Sequence, residues 1–167
     1  ITRSGRTLLD ASAMADRESM GAPVLIVGHS AGGMSARLLT SPVPFEGRRL
    51  NASGRIGAIV TLGTPHVVSD RGPLGRRVGA RAAAFANREV PGPWYAPRVG
   101  YLAIGSRALT GRPSGTRRER RPWSLYKGLV VEPDVSEIEG DGLVPLAAAL
   151  LPGAPSLVFD DADHGIT

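Results

Sequence analysis

The chain has 167 residues, a net charge of +5, 42% hydrophobic residues and 21% charged residues. That is room for one domain of ordinary globular composition, which excludes a wholly disordered chain. With no cysteine, disulfides, zinc knuckles and a thiol nucleophile are excluded. No apolar run approaches the ~18–20 residues of a membrane helix, and aromatics at 5% argue against a base-stacking RNA reader.

The expected elements follow in chain order. Thr7 to Met20 places Leu8, Ala11, Met14, Ala15 and Met20 on roughly one helical face, and Gly21 ends the helix. Pro23 to Val27 is a continuous apolar run, the mark of a parallel strand buried on both sides. A tight turn over Gly28 to Gly33 leads into a short helix over Met34 to Leu39, closed by Ser41-Pro42. Ile56 to Leu62 is a second strand, Val78 to Asn87 a helix, Val99 to Ile104 a third strand, Leu143 to Leu151 a short helix and Ser156 to Phe159 a fourth strand. Apolar strands separated by helices predict an α/β fold with a parallel sheet.

Of the 20 basic residues only Lys127 is lysine, and with 22 Gly and 14 Pro this reads as a coding bias toward arginine, so nucleic-acid binding is not expected. Five arginines lie between Arg112 and Arg121, inside a basic loop of about 107–124. That stretch lacks a hydrophobic period and reads as a solvated loop. Its alternative to an inert loop is contact with an anionic membrane surface or another acidic partner.

Gly28-His-Ser-Ala-Gly32 fits G-x-S-x-G, with a buried strand before it and a helix after it. A serine at the apex of such a turn sits in a strained conformation, and Gly28 and Gly32 leave the space that side chains would fill. The turn exposes the Ser30 hydroxyl at the carboxyl end of the sheet and aims the Ala31 N–H at a developing oxyanion. A phosphate-binding reading of the turn fails because Gly-Lys-Ser/Thr is missing.

A serine needs a base, and this arrangement runs serine, acid, histidine along the chain. His29 flanks the nucleophile and points elsewhere. His66 follows the second strand and breaks the order, leaving it as a loop side chain on the pocket wall. His164, after the last strand, is the expected base. Asp141, between Gly140 and Gly142, is the expected acid, with Asp160, Asp161 and Asp163 as rivals too close to His164 in sequence to oppose its ring. Glu132, Asp134, Glu137 and Glu139 read as a solvated acidic loop. No metal or organic cofactor is called for.

Four blocks, Val27-Gly-His-Ser-Ala-Gly-Gly33, Leu62-Gly-Thr-Pro-His66, Gly140-Asp-Gly-Leu-Val-Pro145 and Asp163-His164-Gly165, resemble in order the α/β-hydrolase lipase-like proteins related to GPI inositol-deacylase. Asp70 to Arg77 resembles a branch of plants, algae and cyanobacteria. The resemblance implies Ser30 as nucleophile, Asp141 as acid and His164 as base, and hydrolysis of a lipid or acyl ester. It is compatible with a plastid or cytoplasmic setting and assigns neither. A cap or insert is expected at about 67–97, with Trp94-Tyr95 as apolar wall or packed core pair. The family's earlier strand and loop, which carry a second oxyanion donor, and the helix after the histidine have no counterpart here, so a fragment of one α/β-hydrolase domain is expected. Two other functions use the same residues: a non-catalytic binding domain that keeps the fold, and acyl transfer to an alcohol.

Overall fold

The computed structural model describes residues 20–69, 79–129 and 135–165, with Asp10, Met14, Arg17 and Glu18. Most of the helix expected over Thr7 to Met20, the Asp70 to Arg77 segment, and Glu132 and Asp134 lie outside the described residues.

The two apolar runs form β1 (Val24–His29) and β2 (Ile56–Leu62), paired in parallel with Val27 opposite Val60 and His29 opposite Leu62. Between them, α1 (Ala31–Leu39) provides the crossover. After β2 come α2 (Ala80–Glu89) and β3 (Gly100–Ser106), parallel to β2. The chain then makes β4 (Leu109–Gly111), α3 (Arg117–Lys127), β5 (Ile138–Gly140) and α4 (Leu146–Ala149) before β6 (Ser156–Phe159) pairs in parallel with β3. The sheet order is β1-β2-β3-β6, and β4 and β5 form a separate antiparallel pair. All four sheet strands are parallel, so their carboxyl ends share one edge.

One face of the sheet packs on α1 and its surroundings through Ile26, Ala36, Leu39, Ile56, Ile59 and Val99. A second cluster joins α1 to α2 through Met34, Leu38, Ala83, Ala86 and Val90. The described part of the segment expected as a cap therefore packs α2 on the helix that follows the Ser30 turn. Within it Tyr95 joins the core and donates its hydroxyl to the Thr40 carbonyl at 3.0 Å, while Trp94 is exposed.

Two expectations are corrected. The apolar run of β1 predicts burial on both faces, yet Leu25 and Val27 are each 58% exposed. Both point to the sheet face opposite Ile26, as strand alternation requires, and the described residues cover only the Ile26 face. The basic stretch is not a loop throughout, because it folds into β4 and α3. The Glu119 carboxylate accepts from the Thr116 N–H at 2.8 Å and from its hydroxyl at 2.7 Å, closing the amino end of α3 in a capping box. Pro122 and Tyr126, one turn apart, form its buried stripe.

Candidate active site

Ser30 sits between β1 and α1 with φ 53° and ψ −128°, a left-handed conformation that costs about 1–3 kcal/mol in a non-glycine residue. Its surroundings hold it there. The Ser30 N–H donates to the Leu62 carbonyl at 2.9 Å, tying the apex to the end of β2, and the Gly33 N–H donates to the Ser30 carbonyl at 3.1 Å. A side chain at Gly28 would place its Cβ 2.5 Å from Gly33 Cα, backbone against backbone, so Gly28 is required by the close approach of the turn. Gly32 is not. A Cβ there meets nothing within 4 Å, and the second crowded position is Gly33, whose Cβ would fall on Thr64 Oγ1 and lie 2.9 Å from Thr61 Cγ2. The expectation for Gly32 is corrected on that ground: it lies on the open side of α1, while Gly33 faces β2. Ala31 is the first residue of α1, so its N–H has no intrahelical acceptor.

The structure brings Ser30, His164 and Asp141 together. His164 Nε2 lies 3.0 Å from Ser30 Oγ, and His164 Nδ1 lies 2.7 Å from Asp141 Oδ2. The His164 N–H also donates to the Asp141 carbonyl at 2.8 Å, so two hydrogen bonds join loops 23 residues apart in sequence. Asp141 is 4% exposed. Its Oδ1 accepts from the N–H groups of Leu143 at 3.0 Å and Val144 at 2.7 Å, which leaves Oδ2 directed at the imidazole. Gly142, at φ 99°, makes that turn possible, and its N–H donates to the Tyr126 hydroxyl at 2.6 Å. Tyr126 donates in turn to the Leu109 carbonyl at 3.2 Å, so α3 and β4 hold the acid loop from behind. Burial pushes the Tyr126 phenol up to about 12, so this donor stays protonated at neutral pH.

Two of the rival aspartates are engaged away from the His164 ring. Asp160 pairs with Arg107 at 2.5 Å, and Asp163 Oδ1 accepts from the Gly165 N–H at 3.0 Å, shaping the histidine's own loop. His29 packs its ring against His164, centroids 4.7 Å apart and planes at 40°. Both rings border a cavity of about 370 Å³ with Ile104 and Phe159, a cavity that Ser30 does not line. His66 is not on a pocket wall. It is fully buried, with Nε2 3.0 Å from Thr61 Oγ1 and Nδ1 3.4 Å from an Arg37 guanidinium nitrogen. Burial, reinforced by Arg37, pushes its pKa down to about 3, which makes it a neutral core histidine.

Sequence reasoning missed Gly63. At φ 52° it passes so close behind the imidazole that a Cβ would lie 2.7 Å from Asp141 Oδ2 and 3.2 Å from His164 Nδ1. Its place in Leu62-Gly-Thr-Pro, right after a strand at the carboxyl edge, is the signal by which it can be found.

A parallel sheet with crossover helices, a strained serine at a strand-to-helix apex, and an acid and a histidine following in that order define the α/β-hydrolase fold, which this chain has. The same fold is found in the Bacillus licheniformis lipase BlEst2: its mature form matches with a TM-score of 0.61 at 20% identity, over 96% of this chain and 65% of that one. The propeptide form matches with a TM-score of 0.60 at 18% identity, over 96% of this chain and 36% of that one. The chain thus spans just under two thirds of the mature lipase. No protein-family model matches it, and no curated sequence matches it.

Proposed function

We propose that the chain carries the reacting residues of a serine ester hydrolase acting on a lipid or acyl ester. The reading is carried by the unbroken hydrogen-bonded run Ser30 Oγ–His164–Asp141, which begins at a strained, half-buried serine. Ser30 Oγ attacks the ester carbonyl while His164 Nε2 takes its proton, and Asp141 holds Nδ1–H and stabilises the imidazolium. The Ala31 N–H donates to the oxyanion. Collapse of the tetrahedral adduct breaks the ester C–O bond, His164 gives the proton to the leaving alcohol, and the acyl group stays on Ser30. Water then attacks with His164 again as base and releases the carboxylic acid. The relation to GPI inositol-deacylase rests on the four sequence blocks alone, and the lipase fold neighbours support the coarser esterase or lipase reading.

A fluorophosphonate probe tests this. Labelling at Ser30, its loss in Ser30→Ala, and a fall of several powers of ten in His164→Ala are expected, because such groups act as a unit. Asp141→Asn is expected to keep the fold and to cost about 10⁴ in turnover by favouring the wrong imidazole tautomer. Labelling that persists in Ser30→Ala overturns the assignment, and a folded chain that never labels belongs to the non-catalytic reading.

A further inference from the structure

A second cleft, of about 650 Å³, lies on the other side of the acid loop, lined by Leu109, Arg117, Arg118, Arg121, Pro122 and Gly142. Its three arginines stand at i, i+1 and i+4 of α3 and so fall within one ~100° arc of the helix. Arg120 stands beside them. All four are exposed, and none has a carboxylate partner among the described residues. Two acids of this region are already engaged: Arg112 takes both oxygens of Glu137, at 2.8 and 3.1 Å, and Glu119 at 3.0 Å. Arg107 takes Asp160. Like charges at i, i+3 and i, i+4 repel, so α3 carries a standing repulsion that no carboxylate of the described residues is seen to pair off and that an external anion would relieve.

Leu109 and Pro122 supply an apolar floor beneath the cationic rim, which suits an amphiphile with an anionic head. The cleft also touches Gly142, next to Asp141, and β4 leaves the same carboxyl edge of the sheet as the Ser30 turn. We infer that this arginine cleft docks the anionic head groups of a lipid surface, at the sheet edge where the Ser30–His164 pair lies. The choice of a lipid surface over a free oxyanion rests on the ester-hydrolase reading. Binding is measured without turnover, so either can fail alone.

The test is co-sedimentation of the chain with phosphatidylglycerol-containing vesicles against pure phosphatidylcholine vesicles. Binding to the anionic vesicles alone is expected at ~0.1 M salt and is lost toward ~1 M, as the Debye length shrinks from ~10 to ~3 Å. Each arginine near such a surface is worth about fivefold, so the triple variant Arg117→Gln, Arg118→Gln, Arg121→Gln should bind about a hundredfold more weakly. That variant removes mutual repulsion and should keep the parent circular dichroism and melting temperature. A control, Arg48→Gln, Arg49→Gln, Arg81→Gln, loses the same charge away from α3 and should bind like the parent. Equal weakening in the control would reduce the effect to net charge and overturn the inference. So would displacement by millimolar inorganic phosphate at constant ionic strength, which would assign the cleft to a free oxyanion.

Discussion

Lowering the pH from about 7.5 to about 5 should destabilise the fold through His66. Arg37 has only donors to offer, so His66 Nδ1 is the acceptor of that contact and Nε2–H donates to Thr61 Oγ1. Both ring nitrogens are thus occupied by the neutral form, and Arg37 is itself buried, its pKa pushed down to about 10 by desolvation. In the folded chain His66 titrates at about 3, against an ordinary value of ~6.5 once unfolded. Between those values the unfolded state binds one more proton, so stability rises with pH and is lost as pH falls below ~6.5. The slope is about 1.4 kcal/mol per pH unit, which accumulates to about 2 kcal/mol by pH ~5, before most carboxylates titrate. Urea unfolding at the two pH values measures it directly, and His66→Gln, which cannot titrate, should lose that part of the dependence. Equal stability at both pH values, or a dependence unchanged in His66→Gln, would refute a neutral buried His66.

Gly63→Ala should harm labelling of Ser30 far more than it harms the fold. The left-handed conformation costs an alanine about 1–2 kcal/mol, whereas the new methyl stands 2.7 Å from Asp141 Oδ2 and must displace the carboxylate from His164. A melting temperature lowered by a few degrees with fluorophosphonate labelling slowed by orders of magnitude is expected, and labelling at the parent rate would show that the Asp141–His164 contact is dispensable. Gly32 and Gly33, after Ser30, should separate in opposite directions. Gly32→Ala adds a methyl in open space on α1 and should stabilise by up to about 1 kcal/mol, while Gly33→Ala drives one into buried Thr61 and Thr64 and should cost about 1–3 kcal/mol. Thermal melts of the pair check the sign.

The parts of the molecule legible in the sequence are those whose cause is local. The runs Pro23–Val27 and Ile56–Leu62 read as strands because near-continuous apolar sequence suits a parallel sheet, and they form β1 and β2, paired in parallel with one register shift between Val24 and Leu25. Ser30 is legible from the glycines of its turn, and Asp141 and His164 from small neighbours and chain order, so proximity needs only the sheet to bring its carboxyl ends to one edge. What escaped was set by partners distant in sequence. Arginines and Pro122 hid α3, although Thr116-Arg-Arg-Glu119 carries a helix-start signature that outranked the missing hydrophobic period. β4 and β5 are three residues each, too short to show alternation, and exist because they pair with one another.

His66 and Gly32 make the same point from within the motifs. A histidine after a strand end and a glycine two residues from a serine look alike whether they serve the site or the frame, since residue type is all that a motif records. The side of α1 that faces β2 decides between Gly32 and Gly33, and the depth at which Arg37 crosses from α1 toward α2 decides His66: its guanidinium donates to Asn87 Oδ1 and to the Val90 carbonyl, both at 3.0 Å, which plants the cation beside the imidazole. Each is a fact of helix rotation and inter-element packing. The same packing gives α1 two tasks at once. Its first turn presents Ser30 and the Ala31 N–H to the solvent edge, and two turns later Arg37 anchors it to α2 and the His66 loop. Rigidity at the buried end is what lets a strained serine persist at the exposed end, because relaxing φ at Ser30 would require α1 to move against contacts that are fully buried.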